Sequence, residues 1–187
     1  MAKAISSAPR MTVEQFLAWL EDGPERARYE LVAGEPVEMT PEPAAHARIK
    51  AQVWLALCNS IGSAGLPCEA LPDGMTVKID EHTAYEPDAV VHCEAALSDH
   101  AVIVPAPVIV IEVLSPTMKA HDAGAELADY FRLPSVRHYL LVRTERPTVI
   151  HHRRADEGEV IETRIVTSGT LGLDPPGLTL DLDRIYG

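Results

Sequence analysis

One acidic residue interrupts the most apolar segment of the chain. Residues 108–114 read Val-Ile-Val-Ile-Glu-Val-Leu, the pattern of a β-strand buried on both faces, and Glu112 stands inside it. Because burying a carboxylate without a partner is very costly, Glu112 requires a counter-ion, a metal ion or a place at the exposed end of the strand. The simplest interpretation is a strand-end glutamate paired with an arginine, and the functional interpretation is a metal ligand.

A second acidic residue begins another apolar strand. Asp88 follows Pro87 and precedes the apolar residues 89–91. On two adjacent strands, the carboxylates of Asp88 and Glu112 can converge on one point. With water and a backbone carbonyl they would form the oxygen-rich octahedral site that Mg²⁺ prefers, and such an ion polarises a phosphoryl oxygen and lowers the pKa of a bound water. An aspartate after proline is also a common turn or cap residue, so the spacing alone leaves both interpretations open.

The elements that would position these residues alternate between helices and strands. Thr12 and Gln15 form a capping box that opens a helix ending near Leu20. Residues 29–39 predict two short strands joined by a turn at residues 33–34. An amphipathic helix from His46 to about residue 61 is predicted by apolar residues four positions apart, at Ile49, Val53, Leu57 and Ile61.

The second half of the chain predicts mainly strands. They are expected at residues 75–79, 87–93, 108–114, 136–142, 148–152 and 160–166, with a helix over 117–131 and a Pro/Gly-rich segment at the end. This order predicts an α/β (α+β) fold in which a mixed β-sheet is flanked by helices. The length fits a flexible N-terminal tail over residues 1–10 followed by a single domain over 11–187.

Composition restricts where the protein can act. No apolar run approaches the ~20 residues that cross a bilayer, and no signal peptide is apparent, so we expect a cytoplasmic protein without a membrane partner. The net charge of −12 opposes non-specific binding to nucleic acid, which depends on Lys and Arg meeting phosphates. Binding to DNA would therefore require metal ions, a local basic patch or a partner. The three cysteines, an odd number without CxxC spacing, predict buried reduced thiols rather than a disulfide framework.

Several short segments, taken together and in order, resemble a known family. The segments are Met-Thr-Val-Glu-Gln-Phe at 11–16, Arg-Tyr-Glu-Leu-Val-Ala-Gly-Glu at 28–35, Met-Thr-Pro at 39–41 with His46, Glu-Pro-Asp-Ala-Val-Val at 86–91, Pro-Val-Ile-Val-Ile-Glu-Val-Leu-Ser-Pro at 107–116, Asp122 with Tyr130, and Val-Arg-His-Tyr-Leu-Leu-Val at 136–142. Each segment alone is unspecific, whereas Pro-Asp followed by Glu-Val-Leu-Ser-Pro is fairly specific. With these segments the chain resembles the bacterial Uma2 family of restriction-endonuclease-like proteins, placed in the PD-(D/E)XK nuclease superfamily.

The resemblance implies a restriction-endonuclease-like core and a set of site residues. Asp88 and Glu112 would be the metal-binding acids, joined by the carbonyl of Val113, and the ion would be Mg²⁺ or Mn²⁺. Glu30 and His46 would lie near the site, although Glu30 could equally be a solvent-facing strand residue and His46 a residue that starts a helix. The implied substrate is DNA, and the implied assembly is a homodimer, since cutting both strands would need two sites.

The chain departs from the expected pattern at its lysine. The superfamily places a lysine two residues after the second acid, and Leu114 stands there. In the family the lysine is expected on the following helix, about four residues before Tyr130, and that position is Glu126. Three other lysines could replace the expected one: Lys119, Lys78 and Lys50. Lys119 is the candidate catalytic lysine. Lys50 stands one turn after His46 on the same helix face.

These observations support two functional hypotheses. The first is a Mg²⁺- or Mn²⁺-dependent phosphodiesterase that cuts DNA, in which the acids hold the ion and a lysine neutralises the transition state. The second is a catalytically impaired, nuclease-like binding or regulatory module, which Glu126 and the charge of −12 favour. A metal-dependent hydrolase with another substrate is a third, weaker alternative.

Overall fold

The computed structural model describes residues 10–23, 27–114, 120–156 and 160–187. Apart from Arg10, the predicted N-terminal tail lies outside these residues, as does Lys119. The helices are α1 (Val13–Asp22), α2 (Ala44–Ala64), α3 (Ala120–Tyr130) and α4 (Leu182–Tyr186). The strands are β1 (Tyr29–Val32), β2 (Glu35–Glu38), β3 (Glu69–Pro72), β4 (Val77–Lys78), β5 (Ala84–Tyr85), β6 (Ala89–His92), β7 (Pro107–Leu114), β8 (His138–Arg143), β9 (Val149–Arg154), β10 (Ile161–Val166), β11 (Thr170–Leu173) and β12 (Leu178–Asp181).

The chain divides into two compact units. The smaller comprises residues 1–41 and 78–85, and the larger comprises residues 42–77 and 86–187. The single domain over 11–187 stays a prediction. In the smaller unit, the predicted capping box is present, because Thr12 Oγ1 accepts the N–H of Gln15 and Gln15 Oε1 accepts that of Thr12. The β1–β2 hairpin turns at Ala33 and Gly34, both with positive φ.

A six-stranded sheet forms the centre of the larger unit. Its strand order is β10-β9-β8-β7-β6-β3, with β7 and β8 parallel and the other neighbours antiparallel. The side chains of Ile109, Ile111 and Val113 on β7 join an apolar cluster to which α2, the β11–β12 hairpin and α4 also contribute. On the opposite face, Tyr130 of α3 packs beside Tyr139 of β8. This mixed sheet flanked by helices confirms the predicted fold class.

Helix α2 carries two buried polar residues, His46 and Lys50, within an otherwise apolar stripe. Its buried stripe consists of His46, Lys50, Val53, Leu57 and Ile61, at a spacing of three or four that follows one helix face. The helix is longer than predicted at both ends. It stops where Gly65 adopts a left-handed conformation with φ of 62°, a conformation that glycine adopts without strain.

The prediction of three reduced cysteines was wrong. Cys68 and Cys93 form a disulfide bond, and Cys58 is free and half-buried. The physical reason is the register of β3 and β6. Their pairing begins with Glu69 opposite His92, so the residues just beyond that pair face each other, with Cα atoms 4.0 Å apart. An odd count of cysteines does not exclude one bonded pair.

Candidate active site

Asp88 lies where β6 begins beside β7. The pairing between the two strands sets Ala89 opposite Ile111, so Asp88 and Glu112 are the adjacent residues on the two strands. Asp88 Oδ2 accepts the backbone N–H of Val113 at 2.6 Å. The carboxylate is nearly buried, with 9% of the side chain exposed. Burial raises the pKa of Asp88 above its usual value, although the Val113 N–H, Lys50 and His46 each oppose that rise.

His46 approaches the same position from the first turn of α2. Its Nε2 lies 2.5 Å from the carbonyl oxygen of Val113, so this nitrogen carries the proton and donates. The same nitrogen is 3.6 Å from Asp88 Oδ2. The other ring nitrogen, Nδ1, lies 3.1 Å from Glu42 Oε2 but is not aligned for a hydrogen bond, and it has no other partner among the described residues. A buried imidazole nitrogen facing a carboxylate oxygen is a geometry that a cation would stabilise.

Lys50 brings a positive charge to these residues. Its Nζ lies 2.8 Å from Asp73 Oδ2 and 3.3 Å from Asp88 Oδ1, and it contacts both carboxylate oxygens of Glu42 at 2.8 and 2.7 Å. Only 9% of the side chain is exposed. Burial acts to lower the pKa of Lys50, but the hydrogen bonds to Asp73 and Glu42 and the charge of Asp88 outweigh it and raise the pKa. The ammonium group is therefore charged at neutral pH.

Sequence reasoning did not identify two members of this cluster, Glu42 and Asp73. Glu42 precedes α2, and Asp73 directly follows β3. Because β3 pairs with β6 up to Pro72 opposite Ala89, Asp73 and Asp88 emerge at the same end of the strand pair. The chain carries Pro-Asp at both places, residues 72–73 and 87–88, and this repetition is the feature from which Asp73 could have been found.

Glu112 faces the other side of β7 from Val113 and meets α3. Tyr130 Oη donates to Glu112 Oε1 at 3.0 Å, and Tyr139 Oη donates to Glu126 Oε2 at 3.3 Å. The two tyrosine rings are 5.2 Å apart. Burial raises the pKa of Tyr139 well above its usual value, and the negative charges of Glu112, Glu126 and Asp88 raise it further. Glu126, which stands at the position expected for a lysine, therefore adds a negative charge near Tyr139, as Glu112 and Asp88 do.

The structure therefore brings together four of the residues singled out from the sequence. Asp88 contacts the backbone N–H of Val113, His46 and Lys50, and His46 also contacts the carbonyl of Val113. Glu30 lies half-buried on β1 in the smaller unit. Lys119 lies outside the described residues, and Lys78 forms an ion pair with Glu14 in the smaller unit.

The donor atoms of the cluster fit a divalent cation. One ligand atom each from Glu42, His46 and Asp88 lies within 4.8 Å of the others. Carboxylate oxygens, an imidazole nitrogen and the nearby Val113 carbonyl form a mixed oxygen and nitrogen set that suits Mg²⁺ or, because of the imidazole, Mn²⁺. The carboxylates of Glu42, Asp73 and Asp88 all contact the ammonium of Lys50.

Comparisons with known proteins identify the family and the fold of the chain. The sequence matches the Uma2 family, described as "Putative restriction endonuclease", over residues 13–183. It is 27% identical over 179 residues to "Uncharacterized protein slr1290" of Synechocystis sp. (strain ATCC 27184 / PCC 6803 / Kazusa), covering 95% of this chain and 92% of that protein. The crystal structure of a putative nuclease belonging to DUF820 from Anabaena variabilis ATCC 29413 superposes with a TM-score of 0.73 at 16% identity, covering 94% of this chain and 97% of that one. At this identity the superposition shows a shared fold. Within the described ranges, none of the helices has the length and apolar composition to span a bilayer.

Proposed function

The chain belongs to the Uma2 family of restriction-endonuclease-like proteins, and on that basis we propose that it is a divalent-metal-dependent endonuclease hydrolysing DNA phosphodiester bonds. The observation that carries the proposal is the position of Lys50, whose ammonium lies 3.3 Å from the carboxylate of Asp88. A nuclease site of this type requires paired acids and a lysine, and helix α2 supplies the cation that the sequence after Glu112 lacks.

Each residue has a distinct task in this proposal. Asp88, Glu112 and the carbonyl of Val113 would hold Mg²⁺ or Mn²⁺, as the family resemblance implies, and Glu42 and an imidazole nitrogen of His46 would complete the donor set. The bound ion would supply charge stabilisation at the phosphate and a more acidic water. His46 donates to the Val113 carbonyl, which orients that carbonyl and Asp88 relative to each other. Lys50 neutralises negative charge that develops on the phosphoryl group.

Two further residues belong to the proposal because of the family resemblance. Glu30 is an additional acidic site residue and Lys119 a second catalytic lysine, and alanine at either position is expected to lower cleavage. In this proposal the protein is a cytoplasmic homodimer. The dimer provides the two sites that are needed to cut both DNA strands. With a net charge of −12, it is expected to bind duplex DNA weakly without divalent metal, and increasing salt should weaken that binding further.

A plasmid-cleavage assay with Mn²⁺ or Mg²⁺ tests the proposal. We expect the wild type to nick supercoiled DNA and Asp88→Asn to be inactive. Lys50→Ala should lower the rate by about 10²–10³, the typical cost of losing one electrostatic contact to a transition state. The matched control is Lys78→Ala, which removes a lysine of the smaller unit paired with Glu14 and should cleave like the wild type. Equal rates for Lys50→Ala and Lys78→Ala would contradict the role of Lys50.

One observation favours the alternative of a catalytically impaired binding module. Glu126 accepts a hydrogen bond from Tyr139 at the position where the family pattern has a lysine, which leaves a carboxylate in place of the expected cation. The variant Glu126→Lys should cut faster than the wild type if that lost cation limits the rate. If neither the wild type nor Glu126→Lys cuts DNA with either metal, the binding module becomes the better conclusion.

A further inference from the structure

Strand β10 is an edge strand that the rest of the described chain does not cover. It pairs with β9 on one side, and no described strand pairs with it on the other. Ile165 has 67% of its surface exposed, and Val160, just before the strand, has 60%. Residues 160–166 contain no proline or lysine, two residue types that commonly protect edges. Such an edge presents unpaired backbone N–H and C=O groups to another strand.

The charges on β10 are arranged so that the strand complements itself. Glu162 and Arg164 lie two residues apart and therefore on the same face of the sheet. Two copies of one strand can pair antiparallel about a two-fold axis perpendicular to the sheet. This axis keeps each side chain on its own face of the sheet, so it lies between one residue and the same residue of the other copy. With the axis at Thr163, Glu162 of each copy lies opposite Arg164 of the other, and Ile161 lies opposite Ile165.

The neighbouring registers lack this complementarity. An axis at Arg164 places the two arginines opposite each other, and an axis at Glu162 does the same with the two glutamates. Like charges directly opposite each other destabilise a strand pair, whereas opposite charges and β-branched pairs stabilise it. The axis at Thr163 also retains nearly the full length of β10 (Ile161–Val166) in the pairing.

We propose that β10 is the interface of a homodimer, in which two copies join their six-stranded sheets into one continuous sheet with Thr163 on the two-fold axis. This interface rests on the homodimer of the proposed function and adds the surface through which the two copies pair. Its test requires no nuclease activity. Within one chain, Glu162 lies 3.8 Å from Arg164 and 3.9 Å from Arg153. These contacts are long and partly exposed, and exposed ion pairs contribute little, so they do not compete with the pairing.

Sedimentation of the full-length, metal-free protein over a wide range of concentration tests the interface. The wild type should approach twice the chain mass of 20.3 kDa as concentration rises. Arg164→Glu places Glu opposite Glu in every register above and should remain monomeric. The double variant Glu162→Arg/Arg164→Glu restores opposite charges and should dimerise again. The control Arg184→Glu makes the same charge reversal on α4, where the arginine side chain is 78% exposed, and should behave like the wild type.

A cross-linking experiment tests the register. In a Cys58→Ser background, Thr163→Cys should form a disulfide-linked dimer on oxidation, because only a residue on the two-fold axis faces its own copy at a bonding distance. Val166→Cys lies off the axis and should cross-link much less. A monomeric wild type at every concentration, dimerisation of Arg164→Glu, or failure of the charge swap to restore the dimer would overturn the proposal. Asp88→Asn should dimerise normally, so loss of cleavage and loss of the dimer remain separate results.

Discussion

Lys50 combines two roles at the level of single residues. Its ammonium holds Glu42, Asp73 and Asp88 close together although their carboxylates repel one another. The same group would neutralise a bound phosphate. Because only 9% of the side chain is exposed, water cannot replace the lost charge when the lysine is removed. Under the proposed function, one substitution at Lys50 should therefore change both stability and cleavage, and a divalent cation should separate the two responses.

Lys50→Ala should destabilise the protein by about 3 kcal/mol at neutral pH, the typical cost of leaving buried charges without their partner. Mn²⁺ should restore part of this loss, so the metal-induced increase in melting temperature should be larger in the variant than in the wild type. Thermal melts with and without Mn²⁺ measure both effects. Lys78→Ala, which disrupts a more exposed pair with Glu14, should change stability far less than Lys50→Ala and leave the metal effect unaltered. Equal metal-induced shifts in wild type and Lys50→Ala would show that the cation does not bind to this cluster.

Part of this cluster was predictable from the sequence, and part was not. His46 was singled out by the family resemblance, and Lys50 was noted because it stands one turn after His46 on the same helix face. Asp88 stands out because it begins an apolar strand. Glu42 and Asp73 do not, because their roles depend on how the start of α2 meets the end of β3, a contact between distant segments. No local pattern encodes such a contact.

At the level of elements, local pattern decided what could be predicted. The long helix α2 was predicted because its apolar residues recur every four positions, and the strand β7 was predicted because its apolar run is nearly continuous. The strand β3 was missed because it has four residues and ends in Pro72. Strands β11 and β12 were missed because proline and glycine separate them, although Leu171, Leu173, Leu178 and Leu180 alternate as buried strand residues do.

The disulfide at one end of the β3–β6 pair stabilises elements that carry Asp73 and Asp88 at the other end. Cys68 and Cys93 close a loop with a sequence separation of 25 residues. Replacing both with serine should lower the free energy of unfolding by about 3 kcal/mol, since the unfolded chain regains loop entropy. Denaturant unfolding of Cys68→Ser/Cys93→Ser measures the loss. The control is Cys58→Ser, which alters a half-buried cysteine outside the bond. A double variant as stable as the wild type would contradict the prediction.

Strands β8 and β9 bury a histidine pair that makes stability depend on pH. His138 Nε2 lies 2.9 Å from the Pro175 carbonyl and therefore donates to it, which leaves His138 Nδ1 to accept from His151 Nε2 at 2.8 Å. Both rings are neutral in this arrangement. Burial is the main reason that the pKa of each histidine is lowered from 6.5 to about 4.

Stability should therefore fall as the pH is lowered from 6.5 towards 4. The unfolded chain takes up protons near pH 6.5, whereas the folded protein resists protonation until about pH 4, so the contribution is complete above 6.5 and declines below it. Urea unfolding between pH 7.5 and 4 measures this decline, and His138→Gln/His151→Gln should reduce its slope. His82→Gln, a substitution of a more exposed histidine, serves as the control. Identical slopes in the double variant and the wild type would exclude the pair as the cause.

At the scale of the whole molecule, charge and assembly determine how DNA could be cut. A chain of net charge −12 gains little from non-specific attraction to a duplex, so repeated independent visits to the same site are rare. We propose that a homodimer joined through β10 brings two sites to a duplex in one encounter. Cleavage of both strands would then follow from one binding event, and linear plasmid would appear early in the reaction.

The ratio of linear to nicked plasmid should therefore depend on β10 rather than on the site residues. Arg164→Glu, expected to be monomeric, should still nick supercoiled DNA but should accumulate nicked circles with much less linear product. Glu162→Arg/Arg164→Glu should restore the wild-type ratio, because the opposite charges again face each other across the two-fold axis. A gel time course with Mn²⁺, at matched nicking rates, measures the ratio directly. If Arg164→Glu linearises plasmid as efficiently as the wild type, single chains cut the two strands independently. In that case the dimer would serve a purpose other than double-strand cleavage.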